Sequence, residues 1–348
     1  MKKINVLVID DSAVVREILT TRLTEYPEIN IVGSAIDPYI AREKIARNTV
    51  DVITLDIEMP RMDGLTFLKY LMKSWPIPVV VVSSLTDRKN RASLEALELG
   101  AVDIVPKPGG PYSVGEIIDI VAEKIIAASQ VDFEKVKEAA KQLQRKPKHY
   151  TRFLTHIETT DKIIAVGAST GGTSALEILF KSFTKSFPPT LAVIHMPEKF
   201  TCTFAERLNS LCEVDVKEAE HNEHILPGTI YLAPGNFHMM VKAVGTEKII
   251  KIVKAPKVFN QRPSVDVLFQ SVAKNIGKNA VGVLLTGMGR DGAAGMLEMK
   301  QQGAYTVAQD EHTSIVFGMP KAAIDLGAVS TVQPLDKIAG TIADYLKR

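Results

Sequence analysis

Only two cysteines, Cys202 and Cys212, occur in 348 residues. Two thiols give no disulfide framework and fit a reducing compartment. A catalytic thiol stays open on this count. Small, buried or half-buried side chains are the plainer reading of both. A charge imbalance is also missing, since 42 basic and 40 acidic residues leave a formal net charge of +2. A dedicated nucleic-acid binder would show a clustered basic excess. No uninterrupted apolar run approaches the length of a membrane span. The opening MKKINVLVIDD starts like a signal peptide, but its apolar core is short and two aspartates follow at once. These absences predict a cytoplasmic protein with no direct membrane insertion and no nucleic-acid partner. Its length suits two domains rather than one.

From residue 1 to 125, short apolar runs alternate with amphipathic stretches. The runs are INVLVID, INIVGSA, VDVITLD, PVVVVSS and AVDIVPK. Between the first two, Val15, Ile18, Leu19 and Leu23 recur at helical spacing. Strands separated by helices predict a parallel α/β sheet. Residues 126–157 differ. DFEKVKEAAKQLQRKPKHYTRF is lysine-rich, begins as a surface helix and breaks at Pro147. It reads as a charged linker, whose cationic cluster could instead dock a partner. A second α/β series fills 158–348, with strand candidates KIIAVGA, TLAVIHM, GTIYLAPG, AVGVLLTG and AYTVAQD. HMMVKAV and KIIKIVKA, parted by Gly245-Thr246-Glu247, predict a β-hairpin. The expected fold is α/β in two domains, the second doubly wound and mostly parallel.

Polar residues mark the strand ends of the first domain. Asp10 and Asp11 follow the first strand, Asp56 ends the third, Ser83 the fourth, and Lys107 follows the fifth. In an open parallel sheet these ends gather at one edge, where ligands bind. Carboxylates there suit a hard divalent cation such as Mg²⁺. A cation beside Asp56 would neutralise an incoming phosphoryl group, and the carboxylate could then form an acyl phosphate. Any one of these residues could simply finish a strand, but five converging groups are poorly explained that way. VLVIDDSAVVR, DVITLDIEMPRMDGL, VVVVSS and IVPKP resemble the receiver domain of two-component response regulators. The resemblance implies a (βα)5 flavodoxin-like fold and phosphorylation of Asp56 by a histidine kinase. It also implies a metal site at Asp10, Asp11, Asp56 and the Glu58 carbonyl, with Ser83 and Lys107 as switch residues. Lys107-Pro108 is a candidate cis peptide.

In the second domain, IIAVGASTGG ends a strand in a glycine turn. The dinucleotide fingerprint G-x-G-x-x-G lacks its second glycine here, because Ser169 occupies that place, and no P-loop lysine follows. The same residues fit G-x-S-x-G, which holds a serine on a sharp strand-to-helix turn. Thr170 would then open the helix and aim its N–H at charge developing beside Ser169. A serine nucleophile needs a base. Of seven histidines, His149 and His156 lie in or near the linker. His221 and His224 sit in an acidic, exposed-looking loop. His238 follows a turn, and His312 trails a later strand. His195 ends the strand after the Ser169 helix and is best placed. A carboxylate must then orient the imidazole. Asp291, among glycines after an apolar strand, is favoured over Asp310 and over Asp266, which should start a helix. Met288 in the same loop reads as exposed, and its N–H is a second oxyanion-donor candidate.

VGASTGGTSAL, VIHMP, FAERLN, YLAPGNFHM, RPSVDVLF, LTGMGRDGAAGM and FGMPKAAI resemble the catalytic domain of chemotaxis protein-glutamate methylesterases. The resemblance implies a triad of Ser169, His195 and Asp291, with oxyanion donors at Thr170 and Met288. Asn236 stands where aspartate is common in that family, and Arg290 where asparagine is common. The implied activity is hydrolysis of glutamate methyl esters on chemoreceptors, with deamidation of certain glutamines, needing no cofactor for the ester chemistry. The implied setting is the cytoplasm, where membrane receptor arrays could recruit the protein. A tethered receiver could cover the Ser169 edge until phosphorylation weakens its docking. Two other designs stay open: a receiver with a DNA-binding output, and a nucleotide-dependent oxidoreductase. The first needs a basic helix-turn-helix, for which the second half is too long and too β-rich. The second needs the missing glycine fingerprint.

Overall fold

The computed structural model describes residues 3–84, 87–108, 113–144, 162–245 and 247–347. The expected break at Pro147, together with His149 and His156, lies outside them. Two compact units divide between Ala140 and Lys141.

The first unit carries strands β1 (Ile4–Ile9), β2 (Ile29–Ala35), β3 (Val52–Leu55), β4 (Val79–Ser83) and β5 (Asp103–Pro106) in the order β2-β1-β3-β4-β5. All neighbours are parallel. The apolar runs do not alternate because both faces are covered, and Val6, Leu7, Val8 and Val79–Val81 are fully buried. Helices α1 (Ala13–Arg22), α2 (Pro38–Arg47), α3 (Gly64–Ser74), α4 (Asp87–Glu98) and α5 (Val114–Ala128) connect and follow the strands. Their starts are written in the sequence. Ser12, Asp37 and Asp63 accept backbone N–H groups as N-caps, and Ser113 and Glu116 form a capping box. The chain order reverses between β1 and β3, so Asp10, Asp11 and Asp56 leave adjacent strands at a switch point. Gly64 lets the β3–α3 loop close over this edge, since a Cβ there would lie 2.2 Å from the Asp56 carbonyl oxygen. α6 (Phe133–Gln144) is the helix expected at the start of the charged stretch.

The second unit is built on a seven-stranded sheet, ordered β14-β13-β12-β6-β7-β9-β8. Its strands are β6 (Ile163–Ala168), β7 (Thr190–Ile194), β8 (Asp215–Glu218), β9 (Thr229–Leu232), β12 (Ala280–Leu284), β13 (Tyr305–Gln309) and β14 (Thr331–Gln333), all paired in parallel. β10 (His238–Val244) and β11 (Glu247–Val253) form the antiparallel hairpin read from the sequence. β8 and β14 were not expected. They are edge strands with partly exposed residues, so they carry no apolar run. The helices are α7 (Gly172–Phe180), α8 (Phe200–Leu211), α9 (Val265–Asn275), α10 (Ala293–Gln301), α11 (Met319–Asp325) and α12 (Leu335–Leu346). α9 and α10 share a core of Leu268, Phe269, Val272, Met296 and Met299. No helix among the described residues is long and apolar enough to cross a membrane.

The start of α9 is wedged against the central strand. A Cβ on Gly167, at the end of β6, would lie 2.3 Å from Val265 Cγ1. Gly167→Ala should therefore push α9 off β6 and destabilise the second unit by about 1–3 kcal/mol. A lower urea midpoint for that unit, with the receiver transition unmoved, is the expected result.

Candidate active site and acidic cluster

In the receiver unit Asp10 and Asp56 are buried and Asp11 is exposed. One carboxylate oxygen of each lies within 4.8 Å of the others, the only such group of potential metal ligands among the described residues. His221 and His224 form no such group. His221 Nδ1 lies 2.9 Å from the Ile252 carbonyl oxygen, and His224 faces Glu247 on the surface.

Lys107 Nζ sits 2.7 Å from Asp56 Oδ2 and 2.9 Å from Asp10 Oδ2. The same ammonium therefore pairs with both buried carboxylates, and it is the one cation within ion-pair distance of Asp10 Oδ2 among the described residues. Burial raises Asp56 to about 6 against the opposing pull of Lys107, and raises Asp10 as well. On Lys107 burial acts to lower the pKa, but the two carboxylates outweigh it and the net shift is upward. Ser83 is buried at the end of β4, and its carbonyl accepts from Lys107 N–H. Glu58 lines, with Asp11, Met59 and Asp63, an open cleft of about 530 Å³. Lys107–Pro108 is not cis, contrary to the expectation; among the described residues only Arg262–Pro263 is. The commoner trans bond already lets Nζ reach both carboxylates, so nothing in the cluster requires the costlier isomer.

In the second unit, neighbouring strands β7, β6 and β12 deliver His195, Ser169 and the loop bearing Asp291 to one edge. All three side chains are buried. His195 Nδ1 lies 3.0 Å from Ser169 Oγ, and His195 Nε2 lies 2.8 Å from Asp291 Oδ2. A carboxylate can only accept, so Nε2 carries the hydrogen and Nδ1 offers its lone pair to the serine hydroxyl. The ring is turned relative to chymotrypsin-type triads, in which Nε2 faces the serine.

Asp291 is held from several sides. Ser264 Oγ donates to Oδ1 at 2.8 Å, Asp266 N–H to Oδ1 at 3.0 Å, and Val265 N–H to Oδ2 at 2.7 Å. These backbone donors are the first turn of α9. Burial alone would raise the Asp291 pKa, but His195 and the α9 amides outweigh it and hold it below the ordinary value. Stability from this carboxylate is therefore full above pH ~4 and is lost only as pH falls through the lowered folded value.

Thr170 does not open the helix. Gly171, at φ 76°, is the N-cap of α7, because a left-handed residue is needed to turn the chain. The Thr170 carbonyl accepts from Thr286 Oγ1 at 3.0 Å, which ties the Ser169 turn to the end of β12. Met288 is half-buried rather than exposed. Its loop is pinned where Gly318 and Met319 N–H groups donate to the Gly287 carbonyl. The Met288 N–H itself has no partner among the described residues.

The rival residues lie elsewhere. His238 is buried between the Pro256 carbonyl and Ser264 N–H, and burial lowers its pKa. His312 is exposed. Asp310 caps Thr313, and Asp266 accepts from Gly295 N–H. Cys202 is exposed on α8, contrary to the buried reading, because its helix turns that position outward. Burial pushes the Cys212 thiol up to about 12, away from thiolate chemistry. Sequence reasoning missed Ser264, Thr286 and Gln309. Ser264 alone left a signal, a serine just ahead of the α9 pattern.

The folds and site geometry together define a receiver module and a parallel α/β module that carries a serine–histidine–aspartate row. Residues 6–119 match the response regulator receiver domain family and residues 164–342 the CheB methylesterase family. The chain is 53% identical over 342 residues to protein-glutamate methylesterase/protein-glutamine glutaminase 2 of Syntrophus aciditrophicus, covering 98% of this chain and 99% of that protein. It is 47% identical over 353 residues to protein-glutamate methylesterase/protein-glutamine glutaminase 1 of Geobacter metallireducens, covering 99% and 96%. The crystal structure of the Thermotoga maritima CheB methylesterase catalytic domain aligns with a TM-score of 0.52 at 39% identity, over 53% of this chain and 98% of that one. The chain belongs to the protein-glutamate methylesterase/protein-glutamine glutaminase family, hydrolases with a response-regulator receiver. That membership removes the DNA-binding-output and oxidoreductase readings.

Asp291→Asn places an NH2 group where every neighbour donates a hydrogen. Either amide orientation sets two N–H groups against each other. The expected outcome is a loss of about 1–3 kcal/mol in stability and a fall in kcat on the order of 10⁴. Urea unfolding and ester turnover measure the two effects.

Proposed function

We propose that this chain is a phosphorylation-activated methylesterase that removes methyl groups from glutamate side chains of chemoreceptors, with glutamine deamidation as a second activity. The observation that carries this reading is the continuous hydrogen-bonded row from Ser169 through His195 to Asp291, with spacings of 3.0 and 2.8 Å. The names of the relatives supply the substrate class. The domains are a receiver over 1–125, a charged linker over 126–157 and a catalytic domain over 158–348.

His195 Nδ1 takes the Ser169 proton as Oγ attacks the ester carbonyl. The Thr170 and Met288 N–H groups stabilise the oxyanion. His195 then returns the proton to the departing methanol. Water, activated by the same nitrogen, cleaves the acyl-enzyme. In deamidation the leaving group is ammonia and the steps are otherwise the same. Asp291 keeps the tautomer and stabilises the imidazolium.

In the receiver, the Asp56 carboxylate attacks the phosphorus of a phosphohistidine on a chemotaxis histidine kinase, the P–N bond breaks, the kinase imidazole leaves, and Asp56 becomes an acyl phosphate. Asp10, Asp11, Asp56 and the Glu58 carbonyl would hold Mg²⁺, and three carboxylates whose oxygens lie within 4.8 Å of one another fit that group. The ion supplies positive charge against the phosphoryl oxygens. Lys107 turns from the carboxylates toward the new phosphate, and the Ser83 hydroxyl reorients to it. The work is done in the cytoplasm, at receptor arrays.

Methanol release from a methylated receptor fragment tests the reading. A small phosphodonor with Mg²⁺ should raise release, Ser169→Ala should abolish it, and Asp56→Asn should remove only the rise. Absence of release from folded, phosphorylatable protein would refute the esterase role. Asp56 carries a second expectation. Its folded pKa of about 6 exceeds the ordinary 3.8, so folding favours the neutral acid. Its contribution to stability is greatest at low pH and declines as pH rises through about 6. Mg²⁺ should therefore raise the receiver Tm at pH 7.5 and lose most of that effect at pH 5.

A further inference from the structure

Residues 258–261 form a tight reversal beside the catalytic residues. Val258 and Gln261 exchange both backbone hydrogen bonds, at 3.1 and 2.8 Å. The two central residues, Phe259 and Asn260, have φ of 49° and 60°. Asparagine tolerates that conformation, but a bulky aromatic residue is an outlier there. Phe259 is nonetheless 46% exposed. A strained backbone that presents a large apolar side chain to solvent is better explained by contact with a ligand than by folding.

Two anchors hold the reversal. Arg262 donates to Asn236 Oδ1 at 3.1 and 2.6 Å and to the Ala255 carbonyl at 2.8 Å. Two residues on, Ser264 donates to Asp291. The tip is therefore bolted to the row that ends at Ser169.

Arg290 completes the feature. It is exposed, and its Cζ lies 4.7 Å from the Phe259 ring centroid. Among the described residues no carboxylate pairs with it. The Phe259 ring lies against the guanidinium, whose planar fork of N–H donors matches a carboxylate. Arg290 is two residues from Met288, so their Cα atoms are at most about 7 Å apart. On a helix, side chains one turn apart are separated by about 5–6 Å.

We infer that Phe259 and Arg290 form a specificity grip for an acidic helix, in which Arg290 binds a glutamate carboxylate one turn from the esterified residue and Phe259 packs on the apolar seam beside it. The inference rests on the esterase reading and names the substrate feature that the site selects.

The test uses the full chain and an alanine-based helical peptide of about 20 residues bearing one glutamate methyl ester. Glutamate or glutamine stands three and four residues to either side. Methanol release should show a KM about tenfold lower for the glutamate peptide, with kcat similar. Arg290→Gln should erase that preference, and Arg290→Lys should restore part of it. Phe259→Asn should raise KM for both peptides without lowering Tm, because asparagine suits the backbone better than phenylalanine. A wild type that ignores the neighbouring carboxylate would overturn the inference alone, as would a preference that survives Arg290→Gln. An unchanged KM in Phe259→Asn would overturn the aromatic half. No release from any peptide would overturn the esterase reading and this inference with it.

Discussion

The second unit depends on one buried carboxylate meeting one helix end. Asp291 receives the α9 amides of Val265 and Asp266, the Ser264 hydroxyl and the His195 ring hydrogen. Without these donors a charge this deep would be costly, and the group would neutralise itself by binding a proton. With them the charge is fixed, and the imidazole tautomer follows from it. The serine turn is set by the same neighbourhood, since Val265 presses on Gly167 while Thr286 ties down the Thr170 carbonyl. Packing and electrostatics converge here on a single arrangement.

The receiver unit works by the opposite logic. Asp10 and Asp56 are buried side by side, and one ammonium serves both. Burial raises both pKa values, and Lys107 offsets that cost only in part. A cluster kept in that condition responds strongly to added positive or negative charge. Asp291 is saturated with donors, whereas Asp10 and Asp56 share a single ammonium.

Much of this was legible because buried parallel strands must be apolar. β1, β3, β4, β5, β6, β7, β9, β12 and β13 each carry such a run, and polar residues at their ends point to one sheet edge, while the part-exposed edge strand β2 still shows Ile29, Ile31 and Val32. β8 and β14 were illegible because edge strands need no apolar run. Placement at strand ends already favoured His195 and Asp291, 96 residues apart, and the family resemblance implied the same pair. Supporting residues were the least visible. Thr286 and Gln309 look like ordinary polar strand ends, and only the folded neighbourhood shows what they hold. Errors came from local context as well. Thr170 was read as a helix start because the need for a left-handed residue at Gly171 cannot be seen in one dimension.

The strand order has a consequence for how the molecule comes into being. The receiver sheet is complete once β5 has been made, at Pro106. Ser169 and His195 are synthesised next, but the carboxylate that orients the imidazole arrives only with residue 291. A chain growing from its N-terminus therefore owns a complete receiver sheet well before it owns the full row of Ser169, His195 and Asp291. A chain that ends before β12 lacks both the strand that pairs with β6 and the loop that brings Asp291 to His195.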